Sequence, residues 1–218
     1  MGYHRWYGRS AGTRGKRVLR TAADRRALGV EGRIEDAVFV LMETTDIPSI
    51  RVSDVVRLSK TSRSTFYRHY RNVDEVVKLF EADLLDNMRS INRNALNNRF
   101  GRSELDPTPA MVERMEVLAA NRQKILALNG QHGDPTFTHK ATVLMHDHFR
   151  ARLRGVTSDE RQLDLYLSFV LAGHHNLVQY WLEKRPDLSP RVVAGLLNRL
   201  FYTPFFVGPS QGQGDGRI

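Results

Sequence analysis

The chain has 218 residues, of which 41% are hydrophobic and none is cysteine, and its formal net charge is +9. That hydrophobic content suffices for a folded core, and the lack of cysteine excludes disulfides and thiolate metal sites. No apolar run approaches the ~20 residues of a membrane span, and no apolar core follows the basic N-terminus as in a signal peptide. We therefore expect a cytoplasmic protein without a membrane partner.

The positive charge is concentrated at the N-terminus. Residues 1–26 contain eight lysines and arginines against Asp24 alone, a net +7 of the total +9. A basic arm ahead of a nearly neutral body is typical of a protein that meets a polyanion, although a solvated flexible tail would have the same composition.

Apolar spacing of three and four residues predicts helices almost throughout, and no segment alternates with period two as a strand does. The first predicted helix spans 31–45 and ends before Pro48. A short second helix carries Val52, Val55, Val56 and Leu58, and a third spans 62–69. Together they have the layout of a helix-turn-helix unit behind a packing helix.

Longer helices follow. Asn72 and Glu75 predict an N-cap with a capping box for a helix that continues toward Asn98. Later helices are predicted from Pro109 through Leu128, over 137–154, over 159–183 and over 189–202. The glycine-rich segment 206–218 is predicted to be a disordered tail.

The helix predicted over 159–183 is apolar in nearly every direction around its axis, from Leu163 to Ala172. Such a helix must be covered on all sides. A domain of this size covers only part of it, so we predict that a second copy covers the rest and that the protein is a homodimer.

The segment 61–75, TSRSTFYRHYRNVDE, combines hydroxyls, aromatic rings and basic side chains. In a helix-turn-helix unit the second helix enters the major groove, where its first residues meet base edges while hydroxyls, tyrosines and arginines bind phosphates. Phe66 is expected to point inward. A polar helical hairpin without a DNA role would have a similar composition, but the basic arm and the three-helix layout favour DNA binding.

The stretch VSDVVRLSKTSRSTFYRHYRNVDEVV resembles the DNA-binding region of the TetR family of transcriptional regulators. Residues 137–203 more weakly resemble the C-terminal part of one TetR subgroup, on the residues Tyr166, Phe169, Ala172, Gly173 and Trp181. The resemblance implies that residues 61–70 form the recognition helix and that Tyr67 contacts phosphate. The predicted DNA-contacting residues are Arg51, Ser53, Lys60, Thr61, Ser62, Arg63, Ser64, Thr65, Tyr67, Arg68, His69 and Tyr70.

Three positions depart from the family pattern. Lys60 stands where the family usually has glycine before the recognition helix, so either a lysine adopts a left-handed conformation at a cost of about 1 kcal/mol or the turn differs. Asp46 stands where glycine usually ends the first helix. Val73 stands where a phosphate-contacting lysine often begins the fourth helix, so that contact is missing.

The family resemblance also implies a cavity for a small effector in the larger domain. Candidate lining residues are Met115, Leu118, Leu126, Phe137, Met145, Phe149, Tyr166, Phe169, His174 and Trp181, although side chains at such spacing are more often core. The histidines lack the spacing of a metal site, so no metal and no cofactor are expected. No phosphate loop, nucleophile elbow or HExxH motif is present, which favours a protein that is not an enzyme.

The sequence thus predicts an all-α protein: a basic arm (1–26), a helix-turn-helix domain (27–75), a domain for dimerisation and effector sensing (76–205) and a tail (206–218). Its predicted function is that of a homodimeric regulator on a pseudo-palindromic operator of double-stranded DNA, most simply a ligand-released repressor. The alternative is a helical adaptor that binds only protein.

Overall fold

The computed structural model describes residues 29–96, 107–153 and 159–206. Within those ranges the chain forms nine α-helices, one short 3₁₀ helix over Ile47–Ser49, and no strand, which confirms the predicted all-α class. The predicted arm 1–26, and all of the predicted tail except Phe206, lie outside the described residues. The helices are α1 (Val30–Leu41), α2 (Val52–Ser59), α3 (Arg63–His69), α4 (Val73–Leu96), α5 (Pro109–Ala120), α6 (Arg122–Asn129), α7 (Phe137–Arg152), α8 (Glu160–Lys184) and α9 (Pro190–Phe206).

Helices α1, α2 and α3, called the head below, pack around a small apolar centre. Val55 of α2 and Phe66 of α3 are fully buried against Ile34 and Val38 of α1, so Phe66 points inward as predicted. Helix α1 is shorter than predicted and ends at Leu41, because a turn through Thr45 and the 3₁₀ helix follow it. The two short helices of the head therefore sit on one packing helix.

Helix α4 begins with the predicted cap. The Asn72 side chain accepts a hydrogen bond from the Glu75 amide at 2.8 Å, and the Glu75 carboxylate accepts one from the Arg71 amide at 2.5 Å. These contacts satisfy amide groups that the first turn leaves without helical partners. Helix α4 then contacts α1 and the 3₁₀ helix at one end and α5 and α7 further along.

One helix predicted from Pro109 to Leu128 is in fact two, so that prediction was wrong. The break falls at Asn121, whose backbone leaves the helical region and whose side chain donates a hydrogen bond to the Val117 carbonyl at 2.8 Å. Asparagine competes in this way for helical carbonyls, which favours a helix end. Helix α6 can therefore run at an angle to α5 and reach α1 as well as α7 and α8.

Helices α4–α9, called the body below, share a core with the head. One apolar cluster runs from Ile34 through Phe80 and Met115 to Leu197, while Phe149 and Leu167 belong to a second cluster between α7 and α8. The domain boundary predicted at residue 75 falls inside the first cluster, so the division into two domains stays a prediction. Among the described residues, no helix combines the length and apolarity that crossing a bilayer requires.

Candidate functional site

The turn between α2 and α3 is closed by a lysine in a left-handed conformation. Lys60 has φ 53° and ψ 45°, and it follows the last residue of α2. The Thr61 amide donates to the Val56 carbonyl at 3.0 Å, which closes the helix end in the manner usually supported by glycine. The chain thus keeps the left-handed turn, at a cost of ~1–2 kcal/mol for a residue with a Cβ.

Hydroxyl groups pre-arrange the start of α3. Ser62 is the N-cap, and its side chain accepts a hydrogen bond from the Thr65 amide at 3.1 Å. The same oxygen lies 2.8 Å from the Ser64 hydroxyl and 2.9 Å from the Thr65 hydroxyl. Three hydroxyls that the sequence placed at a DNA surface therefore also hold the helix end in shape.

The exposed side of α3 carries positive charge beside an aromatic ring. Tyr67 is 58% exposed, and Arg63, four residues before it, and Arg68, directly after it, are exposed as well. Neither arginine has an ion-pair partner among the described residues. The helix can therefore offer two cations and a phenol to an anionic partner.

One predicted DNA contact, Tyr70, belongs instead to the head's own structure, and a second, His69, also contacts α1. Tyr70 is 1% exposed, and its hydroxyl donates to Glu35 of α1 at 3.4 Å, so it cannot meet a phosphate and its prediction is corrected. Its ring packs in the core because it follows Phe66 by one helical turn. His69 is partly buried, with Nδ1 2.9 Å from Glu31 of α1, so it braces α3 against α1.

The remaining predicted DNA residues lie around α3 with at least part of their surface exposed. Thr61 shares a hydrogen bond of 2.8 Å with Ser59, which holds the turn. The exposed or partly exposed members are Arg51, Ser53, Lys60, Thr61, Ser62, Arg63, Ser64, Thr65, Tyr67 and Arg68.

A buried ion pair joins the head to the body. Lys124 of α6 lies 3.1 Å from Glu35 and 3.1 Å from Asp36 of α1, and the Lys124 and Glu35 side chains are almost fully buried. Because Glu35 also accepts the hydrogen bond from Tyr70, a chain of contacts runs from α6 to the end of α3. A second link joins His132, between α6 and α7, to Asp46 after α1 at 2.7 Å.

The body contains a cavity between α4, α5, α6, α7 and α8, with a volume of about 100 Å³. By this measure one water needs about 10–15 Å³, so the space admits several waters or one small organic molecule. Its wall is largely apolar, from Leu84 and Met88 to Leu171 and Val178, with a few polar groups that include Arg114 and His174. An apolar cavity with few polar groups is typical of a small-molecule site.

The predicted lining residues divide into two groups. Four line the cavity, namely Leu118, Phe137, Met145 and His174. Six do not: Met115, Leu126, Phe149, Tyr166, Phe169 and Trp181. Met115, Phe149 and Trp181 are core residues, with the Trp181 indole donating to the Leu188 carbonyl at 3.0 Å, and these positions are corrected for that reason.

Phe169 is instead 81% exposed and lies on the outer side of α8 with Leu165, which is 74% exposed. Between these two side chains and Tyr180 the helix carries Ala172 and Gly173, and nothing approaches within 4 Å of a Cβ built on Gly173. Val192 and Leu196 of α9 are also exposed. Solvent-facing apolar side chains grouped on helices are typical of a protein–protein contact.

Sequence reasoning missed the residues that carry buried charge: Glu35, Lys124 and Arg114. A signal existed for Arg114, because it stands beside Met111, Met115 and Leu118 at core-facing spacing, where a charged residue is out of place. No comparable signal marked Lys124, since its partners lie on α1, far away in sequence.

Comparisons with known proteins match the chain to transcriptional regulators. Residues 106–203 match the family described as the transcriptional regulator C-terminal region (TetR_C_8). Over 189 residues the chain is 26% identical to the uncharacterized HTH-type transcriptional regulator YxbF of Bacillus subtilis strain 168, covering 83% of this chain and 46% of that protein. The chain thus spans about half the length of the curated relative it matches.

Among solved structures, the chain matches the TetR family repressor AlkX from Dietzia sp. strain DQ12-45-1b, a protein implicated in biodegradation of n-alkanes. The identity is 18%, and the match covers 80% of this chain and 94% of that one with a TM-score of 0.40. So low a TM-score contributes nothing to the assignment.

Proposed function

We propose that the chain, whose residues 106–203 match the TetR_C_8 family, is a TetR-family transcriptional regulator, namely a homodimeric, ligand-released repressor of a pseudo-palindromic DNA operator. Residues 27–75 would read the DNA, and residues 76–205 would dimerise and bind the effector. The observation that carries the proposal is the exposed side of α3, where the exposed Arg63 and Arg68 lie to either side of Tyr67 in sequence on a helix whose start is held by its own hydroxyls.

Within α3 the roles follow from position. Arg63 and Ser64 lie at the first residues of the helix, where a recognition helix meets base edges. Tyr67 and Arg68 lie one turn later and are suited to phosphate oxygens, which fix register without reading sequence. Tyr70 takes no part, because its contribution is to the packing of α3 on α1.

The exposed face of α8 and α9 supports the homodimer. Leu165 and Phe169 would be costly to leave in water, and the small residues Ala172 and Gly173 between them and Tyr180 allow a second helix to approach closely. A two-fold axis through this face would repeat the head twice, as a pseudo-palindromic operator requires.

Release of DNA requires that the effector bind one spacing of the heads more tightly than another. Helix α6 is the element suited to convert binding into movement. Its Ile125 and Asn129 line the cavity, and its Lys124 holds Glu35, which in turn holds Tyr70 at the end of α3. A shift of α6 would therefore be transmitted through these contacts to the recognition helix.

The test is a titration of purified protein against the DNA flanking its own gene, with random DNA as control, at two salt concentrations. Arg63→Ala should reduce discrimination between operator and random DNA by ~1–3 kcal/mol if Arg63 reads a base. Tyr67→Ala should instead weaken binding to both DNAs.

The outcomes separate the candidate functions. Equal weakening of both DNAs by Arg63→Ala would make Arg63 a phosphate contact and remove it from the base-reading set. No binding at either salt would favour the second candidate, a helical adaptor that uses the exposed α8–α9 face to bind protein alone.

A further inference from the structure

Arg114 of α5 is a cation buried without a carboxylate. Its side chain lies in the cavity wall and is 4% exposed. One terminal nitrogen donates to the Asn92 amide oxygen at 2.5 Å, whereas Nε–H has no acceptor among the described residues. Asn92 is itself neutral, so the hydrogen bond does not neutralise the guanidinium.

The groups around Arg114 do not neutralise it either. Burial lowers the pKa of Arg114 to about 10, so it stays cationic at neutral pH, and Arg152 lies close enough to lower it further. Burial, with Arg114 nearby, lowers the pKa values of His148 and His174 to about 3, so both imidazoles are neutral. The carboxylate whose charge raises the pKa of Arg114 is that of Glu113 on the same helix, and Glu113 is exposed to solvent.

The cavity wall offers no anion of its own. Among the described residues, the polar lining groups besides Arg114 are amides, hydroxyls and imidazoles, and no aspartate or glutamate is present. A buried charge with an unsatisfied donor is costly, and the usual compensation is an oppositely charged group that accepts its hydrogen bonds. A leucine at this position of α5 would cost less, so the arginine is explained better by a ligand than by the fold.

The geometry points to a small organic anion as the effector: a carboxylate on an apolar body, with the carboxylate on Arg114 and the body in the cavity. This inference rests on the proposed ligand-responsive function. A single guanidinium matches the two oxygens of a carboxylate, whereas a phosphate dianion would need more donors than the wall provides. The apolar body follows from Leu118, Phe137, Met145 and Leu171, which surround the remaining space.

The experiment compares matched acids and amides by calorimetry with the full-length protein. The probes are benzoate, phenylacetate and hexanoate, each against its primary amide. At least one acid should bind the wild-type protein tenfold or more tightly than its amide. Arg114→Met should abolish that difference and Arg114→Lys should retain part of it. The matched control Arg93→Met removes an exposed arginine of α4 next to Asn92 and should leave the difference intact.

Circular dichroism shows whether each variant is folded. If Arg114→Met does not fold, the comparison between the wild type and Arg114→Lys still tests the inference. An amide that binds as tightly as its acid overturns the inference, as does an acid preference that survives in Arg114→Met. Failure of all three acids to bind also overturns it.

A parallel measurement of operator binding separates this inference from the proposed function. An acid that binds through Arg114 and also releases the operator supports both. An acid that binds through Arg114 and leaves operator binding unchanged supports the anion site and refutes ligand-released repression. A protein that binds no DNA but discriminates acid from amide refutes the regulator mechanism alone.

Discussion

Helix α3 of the head and two positions of the body differ in which side chains they bury and which they expose. In the head, rings such as Phe66 and Tyr70 are buried, while Arg63 and Arg68 are exposed on α3. In the body, Phe169 is exposed on α8, while the cation of Arg114 is buried. The ordinary rule of apolar inside and charged outside thus holds for these residues of the head, whereas Phe169 and Arg114 depart from it.

The difference indicates which kind of binding partner each region suits. A surface of hydroxyls and cations is stable in water and suits a hydrated polyanion such as DNA. An exposed phenylalanine and a buried arginine are each unfavourable in an isolated subunit, and each becomes favourable when a partner supplies the missing environment. For Phe169 the proposed partner is a second subunit, and for Arg114 the proposed partner is an anion.

The largest expected effect comes from Phe169→Glu, which places a charge in the proposed subunit contact. Burying an unpaired carboxylate costs several kcal/mol, so the dimer should dissociate and the molar mass from light scattering should fall by half. Val143→Glu is the control, because Val143 is an exposed apolar residue on α7, outside the α8–α9 face. A Phe169→Glu protein that stays dimeric would place the contact elsewhere.

Lys124→Met should remove the buried ion pair that links the head to the body. Removal of this cation leaves Glu35 buried without its partner, which destabilises proteins by ~3–5 kcal/mol. Urea unfolding measures the loss. The double variant with Glu35→Gln should recover much of it, because no buried charge then remains. Equal stability of the single and double variants would contradict the account of a buried pair.

Glu81 of α4 provides a pH-dependent test of the body. Burial outweighs the ion pair with Lys140 at 2.7 Å and raises the pKa of Glu81 from 4.5 to about 7. Because the folded protein holds this proton more tightly, the stabilisation is complete below pH 4.5 and is lost as pH rises through 7.

The unfolding free energy of the wild type should therefore fall, relative to that of Glu81→Gln, by roughly 1–3 kcal/mol as pH rises from acid to neutral. Urea titrations at several pH values measure it, with Asp86→Asn, an exposed carboxylate on the same helix, as control. Parallel pH profiles for the wild type and Glu81→Gln would show that the pKa of Glu81 is not raised in the folded protein.

The smallest expected effect lies in the head. Lys60→Gly should raise the unfolding free energy by roughly 0.5–1 kcal/mol, because glycine adopts φ 53° without the clash that a Cβ causes. Lys60→Ala keeps the Cβ and should bring no gain. If the glycine variant is stabler but binds DNA with a weaker salt dependence, the lysine is retained for a phosphate rather than for the turn.

Local patterns in the sequence predicted much of the head. The inward direction of Phe66 and the cap at Asn72, where α4 begins, each depend on a few neighbouring residues. At Lys60 the sequence left two turns open, and the structure has the left-handed one. The exposed apolar side of α8 was also predicted, since Leu165 and Phe169 lie on a helix with too many apolar faces for one subunit to cover.

Tertiary structure decided the rest, because those features depend on residues distant in sequence. The Tyr70–Glu35 hydrogen bond joins residues 35 positions apart, and the Lys124–Glu35 pair joins residues 89 positions apart. Which aromatic residues line the cavity depends on the angle of α6 beyond Asn121, which helical spacing cannot give. Sequence reasoning missed Arg114 despite its core-facing spacing, and only the packing of five helices around the cavity shows a buried cation in a wall without a carboxylate.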